Sequence, residues 1–329
     1  MNIIPILKDI GRGAAGARHL DRGRALEVMG AVLDGQVDDL ALGAFVLALR
    51  MKGETADELA GFLDAVHQRC LRLRSDRPVV LIPSYNGARR LPNLTPLLAL
   101  ELARAGARVL VHGIVADHHP AAAQQRITSA QIFHDLGLHR ALHQADVHAA
   151  WARREPAFMA LEDLCAPLQR LLDLRWRLGV RNCGHSIAKM LHPLGAARCL
   201  RLVNTTHPEF ASLMQQWATS DQADVMLLRG TEGEPTADPR RLPRIDTLLA
   251  GQPLAAACLP VQDGVVTELP LLPRERDAAT TALYIQSVLA GERPAPTPVV
   301  RQVQAILAAL RALEAAQAGL PPAAHRLRS

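Results

Sequence analysis

Aromatic side chains make up only 3% of this 329-residue chain: two tyrosines, three tryptophans and five phenylalanines. Rings so sparse argue against a row of stacked bases as the mode of any nucleic-acid contact. Leucine, alanine and valine must fill the interior, and the first two favour helices. Lysine is nearly missing. Lys8, Lys52 and Lys189 are the only ones, so arginine carries almost all the positive charge behind the formal net charge of +5. No apolar run reaches the length of a membrane span. The opening MNIIPILKDIGRG has no basic start, long apolar stretch or cleavage site, so no signal peptide is expected. Cysteines stand only at 70, 165, 183, 199 and 258. Their odd number and wide spacing predict reduced thiols in a cytoplasmic protein. Without a CxxC pair, a structural zinc is not expected. Neither GxxxxGK[ST] nor GxGxxG occurs, which removes support for a P-loop or a Rossmann cofactor.

What is present is ample core material, with 49% apolar and 21% charged residues. That balance predicts a soluble, globular chain, and the length predicts one large and one small domain. Residues 1–75 read as a small helical domain. Asp21 is placed to cap a helix that ends at Gly35, a second helix ends at Gly53, and Thr55 with Glu58 forms a capping box for a third. From 76 to 329 the pattern changes to α/β. PVVLIPS, ARVLVHG, CLRLVNT and DVMLLRG read as strands, WARREPAFMAL contains another, and helices alternate with them. Such alternation predicts βαβ units and a mostly parallel sheet. Beyond 235 only TTALYIQSVLAG and VRQVQAILAALRALEAAQAG read as helices, and the terminal HRLRS is expected to fray.

In a parallel sheet, ligands gather at the carboxyl ends of the strands. Three such ends are legible. SYNGARR offers Ser84, the Asn86-Gly87 turn, Arg89 and Arg90, with Asn93 just beyond. Turn amides and arginines suit a phosphate. VHGIVADHHP places His112 and Gly113 at a strand end, while His118 and His119 point apart and do not form a metal site. LLRGTEGEP holds Arg229, Glu232 and Glu234, carboxylates that suit magnesium in a diphosphate enzyme or pairing with arginines in any other protein.

The densest charge lies further on. Arg170, Arg175, Arg177, Arg181, Lys189, Arg198 and Arg201 stand against Asp173 alone, with His185 and His192 among them. Arg170, Arg177 and Arg181 follow helical spacing, which predicts one shared face if the helix runs that far. Like charges this dense repel, and a polyphosphate partner would relieve the repulsion and release counterions. A GC-rich genome accounts for much of the arginine bias, so the functional case rests on these positions.

The order of segments resembles the anthranilate phosphoribosyltransferase-like family, of the nucleoside phosphorylase/phosphoribosyltransferase fold, and in particular its branch with DNA-binding members. GRGAAGARHLDRGRALEVMGAVLDGQV and ALGAFVLALRMKGET resemble the family's opening helices. RWRLGVRN resembles its "RRELGxRT" element, with Arg175 on the arginine associated with the aromatic substrate, and His112-Gly113 matches part of "KHGN". The resemblance implies a small helical domain to which helices from about 165–195 return, a large α/β domain, and a homodimer through the small domains. Departures are concentrated where the enzymes hold diphosphate. SYNGARR replaces "GTGGD"; Val111, Ile114 and Val115 replace polar residues; Glu234-Pro235 replaces the magnesium-binding "DE"; His185 replaces an asparagine.

These readings predict non-sequence-specific binding of DNA or another nucleic acid by Arg89, Arg90, Arg170, Arg175, Arg177, Arg181, Lys189, Arg198 and Arg201. No cofactor, metal or membrane contact is expected, and ordinary anthranilate transfer is expected to be lost. The alternative is a phosphoribosyltransferase with another acceptor, or a nucleoside phosphorylase. There Ser84, Asn86, Gly87, Asn93, His112, Gly113, His185, Arg229, Glu232 and Glu234 would line a small-ligand pocket, and magnesium would enter only with the transferase.

Overall fold

The computed structural model describes residues 1–13, 16–119, 121, 125–195, 197–264 and 270–319; HRLRS lies outside them. The chain starts with α1 (Ile4–Ile10), α2 (Arg22–Leu33), α3 (Asp39–Lys52) and α4 (Ala56–His67). Their ends are set locally. Asp21 caps α2 by accepting from the Arg24 amide, and the Thr55–Glu58 capping box opens α4. Gly53 closes α3 with φ 82°, a conformation that glycine adopts without strain.

The chain then runs β1 (Val79–Ser84), α5 (Thr95–Arg104), β2 (Arg108–Gly113), α6 (Ser129–Asp135), α7 (Gln144–Ala152), β3 (Ala157–Ala160), α8 (Leu161–Leu178), α9 (Gly184–Met190), β4 (Cys199–Thr205), α10 (Pro208–Ser220), β5 (Val225–Arg229), β6 (Ile245–Leu249), β7 (Gln252–Pro253), α11 (Ala278–Leu289) and α12 (Thr297–Gln317). The strands form one sheet in the order β3-β2-β1-β4-β5-β6-β7. The first five are mutually parallel, while β6 and β7 add on as antiparallel strands. An N-terminal helical subdomain is thus followed by a larger mixed α/β domain.

Both faces of the sheet are covered, as a parallel sheet requires. Alternation along the strands sorts side chains between two cores. Val79, Leu81, Leu110, Val203 and Val225 face a core with Phe45, Phe62 and Trp217. Val80, Ile82, Val109, Leu202 and Met226 face α5 and α12. Helix α8 kinks at Cys165, whose backbone leaves the helical region just before Pro167. It stops at Gly179, left-handed at φ 73°. Arg181 therefore stands beyond the helix end. The expected continuous face of Arg170, Arg177 and Arg181 does not form, because the helix terminates too early.

Candidate functional site at the strand ends

The parallel strands bring the loops after β1, β2, β4 and β5 to one edge of the sheet. The loop after β1 is the expected phosphate turn. Gly87 sits there at φ 62°, and a Cβ on it would fall 2.7 Å from the Ile127 carbonyl oxygen, so glycine is required. The turn amides point inward, as an anion site needs. They are taken up by the chain itself. Glu234 accepts from the amides of Asn86 (2.8 Å) and Gly87 (2.7 Å), and from the hydroxyls of Ser84 (2.5 Å) and Thr95 (3.2 Å). Glu232 accepts from the amides of Arg89 (3.1 Å), Arg90 (2.7 Å) and Leu91 (2.7 Å). Five amides that could hold a diphosphate thus hold two carboxylates. Burial raises the Glu234 pKa, and the four donors act in the opposite direction.

The same geometry bears on magnesium. The Glu232 and Glu234 oxygens are directed at N–H and O–H donors, with the Arg126 guanidinium 3.5 Å from Glu232. A carboxylate so engaged does not fit a divalent cation. Among the described residues no three His, Cys, Asp or Glu side chains gather where they could hold a metal.

Beside the filled loop lies a group of cations. Arg181 donates to the Asn86 side-chain oxygen, and Arg175 lies 4.2 Å from the Trp176 ring centroid. Trp176 also meets His119 edge-on at 5.9 Å. Arg126, in the loop before α6, donates to the carbonyls of Gly87 (3.1 Å) and Glu232 (3.2 Å). Neither Arg175 nor Arg181 forms an ion pair among the described residues. Burial, then the charges of Arg175 and Arg126, bring Arg181 down to about 10. Burial likewise lowers Arg175. His185 is pushed down to about 3 by burial and by Arg181 and Arg175, so it is neutral at pH 7. Lys189 donates to the Asn204 carbonyl at 2.8 Å and is brought down to about 8 by burial, then by Arg181.

The remaining residues of the 165–201 cluster do not share that surface. Arg170 donates to the Leu33 carbonyl at 3.2 Å, Arg177 pairs with Asp39 at 3.0 Å, and Arg198 pairs with Asp224 at 2.8 Å through its Nε. Arg201 is only 7% exposed and is no surface contact, because it lies on a core-facing position of β4. His112 is likewise no ligand-facing group. It is fully buried, meets the Tyr85 hydroxyl at 2.5 Å, and is pushed down to about 3 by burial. Gly113 pairs with Ser84 in the sheet, and Asn93 is spent on Ile127, Ser129 and the Thr95 amide.

Arg90 and Arg229 open instead onto a groove of about 910 Å³ at the ends of β4 and β5, lined also by His207, Arg240, Arg241 and Arg244. Arg240 and Arg244 pair with Asp238 and Asp246, and Arg241 holds the Gln262 and Gly264 carbonyls. Arg89 is half-buried, with no side-chain ion pair among the described residues. Arg126 and the Arg240–Arg244 segment were not legible as site residues. Both lie in irregular segments with no pattern beyond their own charge.

Residues 4–70 match the model for the glycosyl transferase family, helical bundle domain. The uncharacterized protein YbiB of Escherichia coli (strain K12) is 37% identical over 94% of this chain and 94% of its own. An anthranilate phosphoribosyltransferase of Anaeromyxobacter sp. (strain K) is 32% identical over 54% of this chain and 51% of its own. Among solved structures, the anthranilate phosphoribosyltransferase of Thermus thermophilus superposes with a TM-score of 0.67 at 21% identity, covering 96% of this chain and 90% of that one, which shows a shared fold.

Proposed function

The chain belongs to the anthranilate phosphoribosyltransferase-like family, on the branch of YbiB, and from that premise we propose that it binds nucleic acid without sequence preference and no longer performs anthranilate transfer. The observation that carries this reading is the pairing of a filled loop with unpaired cations. Glu232 and Glu234 occupy the amides that a diphosphate would need, while Arg175 and Arg181 lie beside that loop with no ion-pair partner among the described residues. A diphosphate leaving group needs donors free to meet its developing charge. Here those donors are committed. A phosphodiester backbone asks less: separate guanidinium contacts on the outer phosphates, with no closed cradle. Arg90 and Arg229 extend the cationic lining around the strand ends.

A homodimer would repeat this surface. Leu40, Ala44, Leu47 and Met51 lie exposed along one side of α3, with Leu40 at 85% and Met51 at 78%, and Ile4 of α1 is also exposed. An apolar stripe of this kind suits a second copy of the chain. Two copies would bring together two such groups of cations and raise avidity for a long polyanion.

The test is titration of random-sequence single- and double-stranded oligonucleotides at several salt concentrations. Binding should weaken steeply with salt, and Arg175→Gln with Arg181→Gln should weaken it equally for unrelated sequences. Binding that ignores salt, or is unchanged in that variant, would overturn the assignment.

A further inference from the structure

A second site lies away from the strand-end loops. Arg201 is the third residue of β4, near the strand's start, on the face that also carries Cys199 and Val203. One of its nitrogens donates to the Met190 carbonyl at 3.2 Å, and the guanidinium carbon lies 4.9 Å from the Trp217 ring centroid. Its Nε is buried without a hydrogen-bond partner. No carboxylate among the described residues pairs with it. A guanidinium out of water without a counter-charge is costly, and native structures normally supply one.

Arg201 borders a cavity of about 230 Å³, together with Asp64, His67, Arg72, His192 and Asp221. The two carboxylates are already engaged. Arg22 donates to Asp64 at 2.7 and 3.0 Å and to Asp221 at 2.6 Å. Arg22, Arg72 and Arg201 thus stand against Asp64 and Asp221, which leaves one positive charge in excess. Both histidines present donors. His67 Nε2 accepts from the His192 amide at 3.0 Å, and His192 Nδ1 accepts from the Leu194 amide at 3.4 Å. In their neutral forms, the proton therefore sits on Nδ1 of His67 and Nε2 of His192. Burial above all, with the charge of Arg201 adding to it, brings both rings down to about 4, so they are neutral at pH 7. The cavity joins an uncompensated guanidinium to two imidazole N–H groups, with Leu63, Leu71 and Pro193 as its apolar wall.

We propose that this cavity is a binding site for a small oxyanion, a carboxylate or phosphate group received by Arg201 with Arg72, His67 and His192 around it. The forked donors of arginine suit either group. The site joins α4 of the helical part to β4 and to Asp221 at the C-terminal end of α10, so its occupant would tie the two parts together. It does not depend on the nucleic-acid reading.

The experiment follows thermal unfolding of the full chain, and the side-chain ¹⁵N signals of His67 and His192, during titration with inorganic phosphate or with succinate. Sodium chloride at matched ionic strength is the control. The expected result is a saturable rise in Tm and a shift of both imidazoles beyond the chloride response. Response to phosphate alone would identify a phosphoryl ligand, and response to succinate alone a carboxylate. Arg201→Met should abolish the effect, Arg72→Gln should weaken binding roughly tenfold, and Arg175→Gln with Arg181→Gln should leave it intact. A response no larger than that to chloride overturns the proposal. So does an equal response in Arg201→Met, or one lost only with Arg175 and Arg181. If Arg201→Met does not fold, Arg72→Gln and the wild-type imidazole shifts decide: unchanged affinity in Arg72→Gln, or unmoved imidazoles, overturns it equally.

Discussion

Replacing Glu234 by alanine removes the acceptor for two buried amides, Asn86 and Gly87, and for two hydroxyls. The hydroxyls have other partners, since Ser84 also meets Ser129 at 2.7 Å and Thr95 meets Thr236 at 3.0 Å. The amides have none. Buried donors left without acceptors cost about 1–3 kcal/mol each, and the two share one acceptor oxygen, so the expected loss is roughly 3–4 kcal/mol. Glu234→Gln keeps an oxygen for the amides and turns its NH₂ toward hydroxyls that can accept, so its loss should be about 1 kcal/mol. Urea unfolding followed by tryptophan fluorescence measures both. The difference between the variants is the informative quantity. Equal losses, or an alanine variant within about 0.5 kcal/mol of wild type, would refute the claim that this carboxylate satisfies the loop. Glu232 supplies the matching gain-of-binding arm. Its partners are the amides of Arg89, Arg90 and Leu91, nearer solvent. Glu232→Ala should cost about 1 kcal/mol and bind pyrophosphate more tightly than the wild type by calorimetry. No gain would mean that the carboxylate is not what closes the loop.

Other consequences can be checked separately. Lys189 titrates at about 8 when folded against an ordinary 10.5. It is charged in both states below pH 8 and neutral in both above 10.5, so the burial penalty is full at low pH and lifts between those values. Wild-type stability should therefore rise by roughly 3 kcal/mol relative to Lys189→Met across that window, read from urea midpoints at stepped pH. Arg177 is already paired with Asp39, whereas Arg181 is unpaired among the described residues. Arg181→Gln should then lower oligonucleotide affinity and the salt slope more than Arg177→Gln in the same titration. Leu40→Asp with Leu47→Asp places charge on the exposed stripe of α3 and should yield a monomer by sedimentation, with the fold retained by circular dichroism.

The sequence disclosed features whose causes are local. Asp21, Thr55 with Glu58, and Gly53 mark helix ends through contacts within a few residues, and each occupies its expected position. The parallel strands announced themselves as apolar runs. Strand β6 did not, because Asp246 and Thr247 interrupt it and its partner β5 specifies it from across the sheet. Arg201 counts as surface charge by residue type alone, but its two-residue spacing from Cys199 and Val203 assigns it to the core face. The catch on the strand-end loop lay beyond any local pattern. Glu232 and Glu234 looked like ligands for a cation or for arginines, yet most of their partners are backbone amides, a group that every residue type except proline carries.

That catch also has a bearing on the order in which the molecule assembles. Its hydrogen bonds join residues 139 to 150 positions apart, from Thr95–Glu234 to Ser84–Glu234. They span β1, then β4, then β5, so the loop cannot latch until all three strands are in register. Contacts at such separation form late in folding, after shorter loops have closed. Until then the turn at Asn86-Gly87 carries open amides on the first strand of the sheet. A protease pulse during refolding should find the 85–91 segment cleavable after the N-terminal helices have become protected.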